Sequence, residues 1–141
     1  MEETVIDTDI FSEILKGKNR NVAVNANSYL SEHPSFTITA ITALEIVKGF
    51  HKLGLQERIA HFIGILETVD ILPLDAECAV VAGKIYADLE SSGQTIGRAD
   101  PMIAGIAVAK NLILVTGNTA HYTRIQDLGY GLRISDWRDF S

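Results

Sequence analysis

The sequence predicts an α/β fold, a three-layer α/β/α sandwich around a central, mostly parallel sheet. Three observations carry this expectation. Short strand-like apolar runs alternate with helix-length segments, the order in which parallel strands are joined by crossovers. Leu112-Ile113-Leu114-Val115 has no polar alternation, as expected of a strand covered on both faces. The segment from Pro101 to Lys110 is apolar on nearly every side and carries Ala104, Gly105 and Ala107, small residues that permit close packing against a sheet.

Taken in order, Thr4-Val5-Ile6 reads as the first strand, and Ile10 to about Lys16 as a helix that ends before the polar Gly17-Lys18-Asn19-Arg20. Phe36-Thr37-Ile38-Thr39 is a second strand after Pro34, followed by a helix from Ala43 to Leu53 with Gly54 as its stop. Ile59, Phe62, Ile63 and Leu66 fall at helical spacing and predict one inward face. Val69 to Leu74 is a third strand. A long helix from Ala76 to Ser91 presents Ala79, Ala82, Tyr86 and Leu89 and stops at Ser92-Gly93. The central helix starts at Pro101, the covered strand follows it, and Leu132 to Ser135 forms an edge strand. No repeat or linker interrupts residues 1–141, which read as a single domain of a size that buries roughly 68–70% of its unfolded surface.

With 47% hydrophobic and 21% charged residues, the composition is that of a packed protein rather than a disordered chain. Cys78 is the one cysteine, so an internal disulfide is excluded, and its apolar flanks predict a buried, inert thiol. The opening Met1-Glu2-Glu3 lacks the basic region of a signal peptide, and no apolar run approaches the roughly 18 residues of a membrane span, so a cytoplasmic protein is expected. The net charge of −6 argues against a sequence-independent nucleic-acid coat. It leaves room for an acidic pocket neutralised by bound cations.

In open parallel sheets, ligands bind beyond the carboxyl ends of the strands. Asp7 follows the first strand, Glu45 lies in the helix after the second, Asp100 opens the central helix, and Thr116-Gly117-Asn118 follows the covered strand. Gathered together, such carboxylates form a hard oxygen site for Mg²⁺ or Mn²⁺, the ions that engage phosphates. Each residue also has a plain structural use. Asp7 is a turn former and Asp9 a helix cap; Thr42-Ala43-Leu44-Glu45 fits a capping box; Asp100-Pro101 fits a capped helix start; Thr116 and Asn118 suit a turn.

Four blocks carry a resemblance: Val5-Ile6-Asp7-Thr8-Asp9-Ile10, Ile41-Thr42-Ala43-Leu44-Glu45 with Gly49, Ile96-Gly97 followed by Asp100-Pro101-Met102-Ile103-Ala104, and Leu114-Val115-Thr116-Gly117-Asn118. In order and spacing they resemble the PIN-domain toxins called VapC. The resemblance implies a dimeric endoribonuclease that uses Mg²⁺ or Mn²⁺ and is silenced by a VapB-like antitoxin. It places Asp7, Glu45 and Asp100 at the family's main acidic positions, Asn118 at a fourth, and Thr8 and Thr116 at its hydroxyl positions. Asp9 and Arg98 depart from the usual pattern: Asp9 adds a carboxylate, and Arg98 is expected to pair with Asp100 or reach a substrate phosphate.

The mechanism expected from this set is metal-assisted hydrolysis, with Asp7 and Asp100 as ligands and Glu45 orienting the attacking water or holding a second ion. His121 is a possible general base, although an exposed structural role is the commoner fate of such a histidine. Lys16, Lys18, Arg20, Lys48, Arg98 and Arg124 are candidate phosphate contacts. Trp137 and Phe140 are expected to pack the carboxyl end onto the core. Two competing readings remain at this stage. Asp7-Thr8-Asp9 also fits the D-x-D motif of haloacid-dehalogenase-type phosphatases, although Phe11 stands where that motif wants threonine or valine. A non-catalytic PIN protein acting through an antitoxin–operator complex is the other.

Overall fold

The computed structural model describes residues 1–139. Its elements are β1 (Thr4–Ile6), α1 (Thr8–Lys16), α2 (Arg20–Glu32), β2 (Thr37–Thr39), α3 (Ala40–Lys52), α4 (Gln56–Leu66), β3 (Asp70–Leu72), α5 (Ala76–Ser91), α6 (Ala99–Ala109), β4 (Ile113–Val115), α7 (Thr119–Asp127) and β5 (Ile134–Ser135). Every strand pairing is parallel: β4 lies between β1 and β5, and β2 pairs with β3. Since β1 also packs beside β2, the order across the molecule is β3-β2-β1-β4-β5. The chain leaves β1 toward one edge and returns through β4 on the other side. That reversal opens a crevice beyond the carboxyl end of β1.

The two faces of the strands seed two cores. Val5 and Leu114 point into one, with Cys78, Ile85 and Leu89 of α5, Ile103 and Ile106 of α6, and Tyr122 and Ile125 of α7. Ile6 and Val115 point into the other, with Ile10 and Phe11 of α1, Val22, Ala26 and Tyr29 of α2, Ile46 of α3, Phe62 of α4 and Trp137. The period-two geometry of strands makes this division unavoidable once both neighbours of a strand residue are apolar. It yields the expected sandwich.

Several details differ from the sequence reading. Helices α2 and α7 were not anticipated: α2 carries three asparagines and two serines, and only Val22, Ala26 and Tyr29 mark its buried stripe. Helix α5 is turned relative to expectation, burying Cys78, Ala82, Ile85 and Leu89 while Ala79 is exposed and Tyr86 half-buried. On α4, Phe62 is buried but Ile63 is 54% exposed. Gly105 serves helix–helix contact rather than the sheet: a Cβ there would stand 2.6 Å from the Ala82 Cβ of α5. Strand β3 is mostly exposed, as suits an edge. Trp137 is buried against Tyr29 and Phe36, and Phe140 lies outside the described residues. No helix of the described residues is long and apolar enough to cross a membrane.

Candidate active site

Beyond the carboxyl ends of β1 and β4 lies an open cleft of about 420 Å³ lined by Asp7, Thr8, Asp9, Glu45, Asp100, Gly117 and Asn118. The lining comes from the β1–α1 junction, α3, α6 and the β4–α7 turn. Asp7 terminates β1 and caps α1, its Oδ1 accepting from the Thr8 N–H at 2.9 Å. Its backbone N–H continues the ladder to the Val115 carbonyl at 2.8 Å, and its Oδ2 accepts from the Thr116 hydroxyl at 2.7 Å. Asp9 is therefore not the cap of α1. It stands in the first turn, with Oδ1 accepting from the Ile10 N–H at 2.7 Å and Oδ2 from the Gly117 N–H at 2.9 Å.

Glu45 escapes the capping-box explanation. Helix α3 starts at Ala40, and its cap is Thr39, whose hydroxyl accepts from the Thr42 N–H at 3.1 Å. Glu45 thus sits a full turn inside the helix, where it accepts from the Thr8 hydroxyl at 2.6 Å; that hydroxyl also lies 3.0 Å from the Thr42 hydroxyl. Asp100 escapes its cap as well. Helix α6 starts at Ala99 after Arg98, leaving Asp100 and Pro101 inside the first turn. The Asp100 carboxylate is held by three side chains of the β4–α7 corner: His121 Nδ1 at 2.7 Å, Asn118 Nδ2 at 3.3 Å and the Tyr122 hydroxyl at 3.1 Å.

His121, Tyr122 and Thr42 were missed as supports of the acidic set. Residues 118, 121 and 122 recur at helical spacing, so an anticipated α7 would have placed all three on one side. Arg98 and Lys48 are exposed and do not line the cleft, and Arg98 makes no bond to Asp100 among the described residues. Lys16, Lys18, Arg20 and Arg124 are exposed too.

Asp7 is 4% exposed, and its carboxyl is pushed up to about 7. Burial is the main cause; repulsion from Asp9 and Asp100 adds to it, against the stabilising bonds from Thr116 and Thr8. Partial desolvation also raises Asp9, opposed by the Ile10 and Gly117 amides and by Arg138. The Tyr122 phenol is held well above its ordinary range, first by burial and then by the charges of Asp7 and Asp100, so it remains a donor.

This donor set fits a hard divalent cation: it is all oxygen, and its members repel one another without one. No three acidic, histidine or cysteine side chains among the described residues stand close enough to hold one ion as placed. Mg²⁺, which retains several of its waters, suits such a spaced set.

Residues 4–127 match the model of the PIN domain. The chain is 33% identical over 138 residues to a tRNA(fMet)-specific endonuclease VapC of Shigella flexneri, covering 97% of this chain and 99% of that one. It is 31% identical over 134 residues to a ribonuclease VapC1 of Methanocaldococcus jannaschii, covering 94% and 86%. In three dimensions it resembles the crystal structure of DNA-bound VapBC from Salmonella typhimurium with a TM-score of 0.81 at 30% identity, over 97% of this chain and 99% of that one.

Proposed function

Because the chain belongs to the PIN-domain family, and within it to the VapC ribonucleases, we propose that it cleaves RNA phosphodiesters through Asp7, Glu45 and Asp100 with Mg²⁺ or Mn²⁺. It is the toxin of a toxin–antitoxin pair, and the VapBC complexes among its structural relatives support a VapB-like antitoxin as partner. The observation that carries the chemical reading is the cleft itself, which the buried Asp7 at the end of β1 lines together with Glu45 of α3 and Asp100 of α6.

Asp7, Asp100 and Glu45 would hold the cation, whose chemistry is to make water a nucleophile near neutral pH and to neutralise charge on the scissile phosphate. The protein's own contributions are positional. Thr8 and Thr116 fix Asp7 from two sides; the Thr8 hydroxyl aims Glu45, which orients the attacking water and takes up its proton. Tyr122, His121 and Asn118 hold Asp100. Asn118 acts through Asp100, to which its amide donates, rather than as a metal ligand of its own.

The phosphatase reading is set aside. The chain matches the PIN domain over residues 4–127 and VapC ribonucleases over nearly its whole length, which favours phosphodiester cleavage over an aspartyl-phosphate route. A homodimer belongs to the same proposal, and light scattering on the purified chain decides it.

The test is a calorimetric titration of Mg²⁺ and Mn²⁺ into the antitoxin-free protein and Asp100→Asn, with RNA cleavage followed in parallel. The wild type is expected to bind and cut, a chelator to stop it, and the variant to lose about 100-fold or more in each. Equal binding and cutting by both proteins would remove Asp100 from the site. A wild type that binds metal but cuts no RNA would favour the non-catalytic, operator-bound reading.

A further inference from the structure

The segment after β5 returns to the cleft from outside. Trp137 is anchored in the core, and its carbonyl accepts from Asn25 Nδ2 of α2 at 2.9 Å. The Arg138 carbonyl accepts from Asn21 Nδ2 at 2.8 Å, and its N–H donates to Asp136 Oδ1 at 3.0 Å. The backbone of residue 138 is therefore fixed independently of its side chain.

The guanidinium then spans two partners. Nε lies 3.2 Å from Asp136 Oδ1, and Nη2 lies 3.1 Å from Asp136 Oδ2 and 2.7 Å from the Gly117 carbonyl. It is laid so closely on Gly117 that a Cβ there would stand 2.2 Å from Nη2 and 2.3 Å from Cζ. Gly117 is not among the positive-φ glycines, so its backbone conformation alone admits other residues. A methyl at 117 would have to displace the guanidinium from where it lies. On the same turn, the Gly117 N–H holds Asp9, the Thr116 hydroxyl holds Asp7, and the Asn118 N–H donates to that same hydroxyl at 3.0 Å.

We propose that Arg138 is a positioning residue of the ribonuclease site, a bracket that clamps the Thr116–Gly117–Asn118 turn from behind and keeps Asp9 and Asn118 facing the cleft. The proposal rests on the functional reading above. It assigns a role to a residue beyond the segment matched to the PIN domain, which ends at 127. A lysine cannot replace it, because one ammonium cannot keep the paired contact with Asp136 while reaching the Gly117 carbonyl.

The experiment combines kinetics on Arg138→Ala and Arg138→Lys with a thermal double-mutant cycle on Arg138→Ala and Gly117→Ala. Loss of a positioning group lowers kcat, by about 10- to 100-fold, with KM for RNA within about twofold, and lysine fails to rescue. Gly117→Ala is expected to lower the melting temperature in the wild type, where the new methyl meets the guanidinium, and to have little effect in Arg138→Ala. A raised KM with retained kcat and rescue by lysine would make Arg138 a phosphate contact and overturn the proposal. So would an unchanged kcat in Arg138→Ala, or a Gly117→Ala effect equal in both backgrounds. If the wild type cuts no RNA, the ribonuclease reading fails separately, and the thermal cycle still decides whether the bracket exists.

Discussion

At Asp7 the protein keeps a carboxyl where burial works against its charge. Its ordinary value of 3.8 is raised to about 7, so the folded state binds more protons than the unfolded one between those limits. The metal-free protein accordingly loses stability as pH rises from about 4 to about 7, by an amount on the order of a few kcal/mol, and the penalty stays in full above that window. Asp7→Asn should flatten this slope and make the metal-free variant the more stable protein at pH 8, which urea unfolding in chelator at pH 5 and pH 8 measures. Parallel curves for the two proteins would mean that the carboxyl is better solvated than its burial implies. The same residue neighbourhood gives a catalytic prediction. Thr8→Val removes the hydroxyl that aims Glu45, and a loss of about tenfold in kcat with a normal circular-dichroism spectrum is expected. The acids and their order along the chain were legible in the sequence, but their supports were not. Local pattern offers a cap for Glu45 and Asp100; the supports that replace it, such as the Thr8 hydroxyl and Tyr122, are made across 37 and 22 residues.

Among the elements, α5 and α6 show most plainly how packing overrides pattern. Gly105 was legible as a small residue, but its partner was not, since only the assembled pair reveals Ala82 against it. Gly105→Ala should therefore destabilise the fold by about 1–3 kcal/mol through overpacking, despite alanine's better helix propensity, and chemical denaturation tests the sign. A gain in stability would show that the two helices can part without cost. The strands that read as long apolar runs shrank to their paired cores, as β3 and β5 show, because ladder geometry rather than hydrophobicity ends a strand. Helices α2 and α7 were invisible for the opposite reason. Their exposed faces are largely polar, apart from Val24 and Leu30 of α2, and what holds them is a sparse stripe, Tyr29 with Val22 and Ala26 in one, Tyr122 with Ile125 in the other. For α2 the Asn19 cap, accepting from the Val22 N–H at 3.1 Å, is a start signal that the polar run disguised.

Across the whole molecule, a cation bound in the acidic cleft, as proposed, would couple stability to its occupancy. An ion that binds the folded chain alone adds about 2.7 kcal/mol at one hundred times its Kd, or roughly 5–10 °C in melting temperature for a chain of this size. Thermal unfolding with and without Mg²⁺ should show that rise in the wild type and lose it in Asp100→Asn; an equal rise in both would place the ion elsewhere. The alternation of strands and helices made the sandwich legible, whereas the path of the chain after β4 depended on contacts no local window contains. One of those contacts sets a schedule. Thr116 lies 109 residues after Asp7, and β1 finds its partner β4 only when that stretch has been made. During synthesis β1 emerges first and waits, its acid already present but without its ladder or its hydroxyl. A shortened product ending before β4 therefore carries Asp7, Glu45 and Asp100 as unassembled side chains. Toxicity, on this topology, is withheld from the growing chain until β4 and the Thr116–Asn118 turn have been translated.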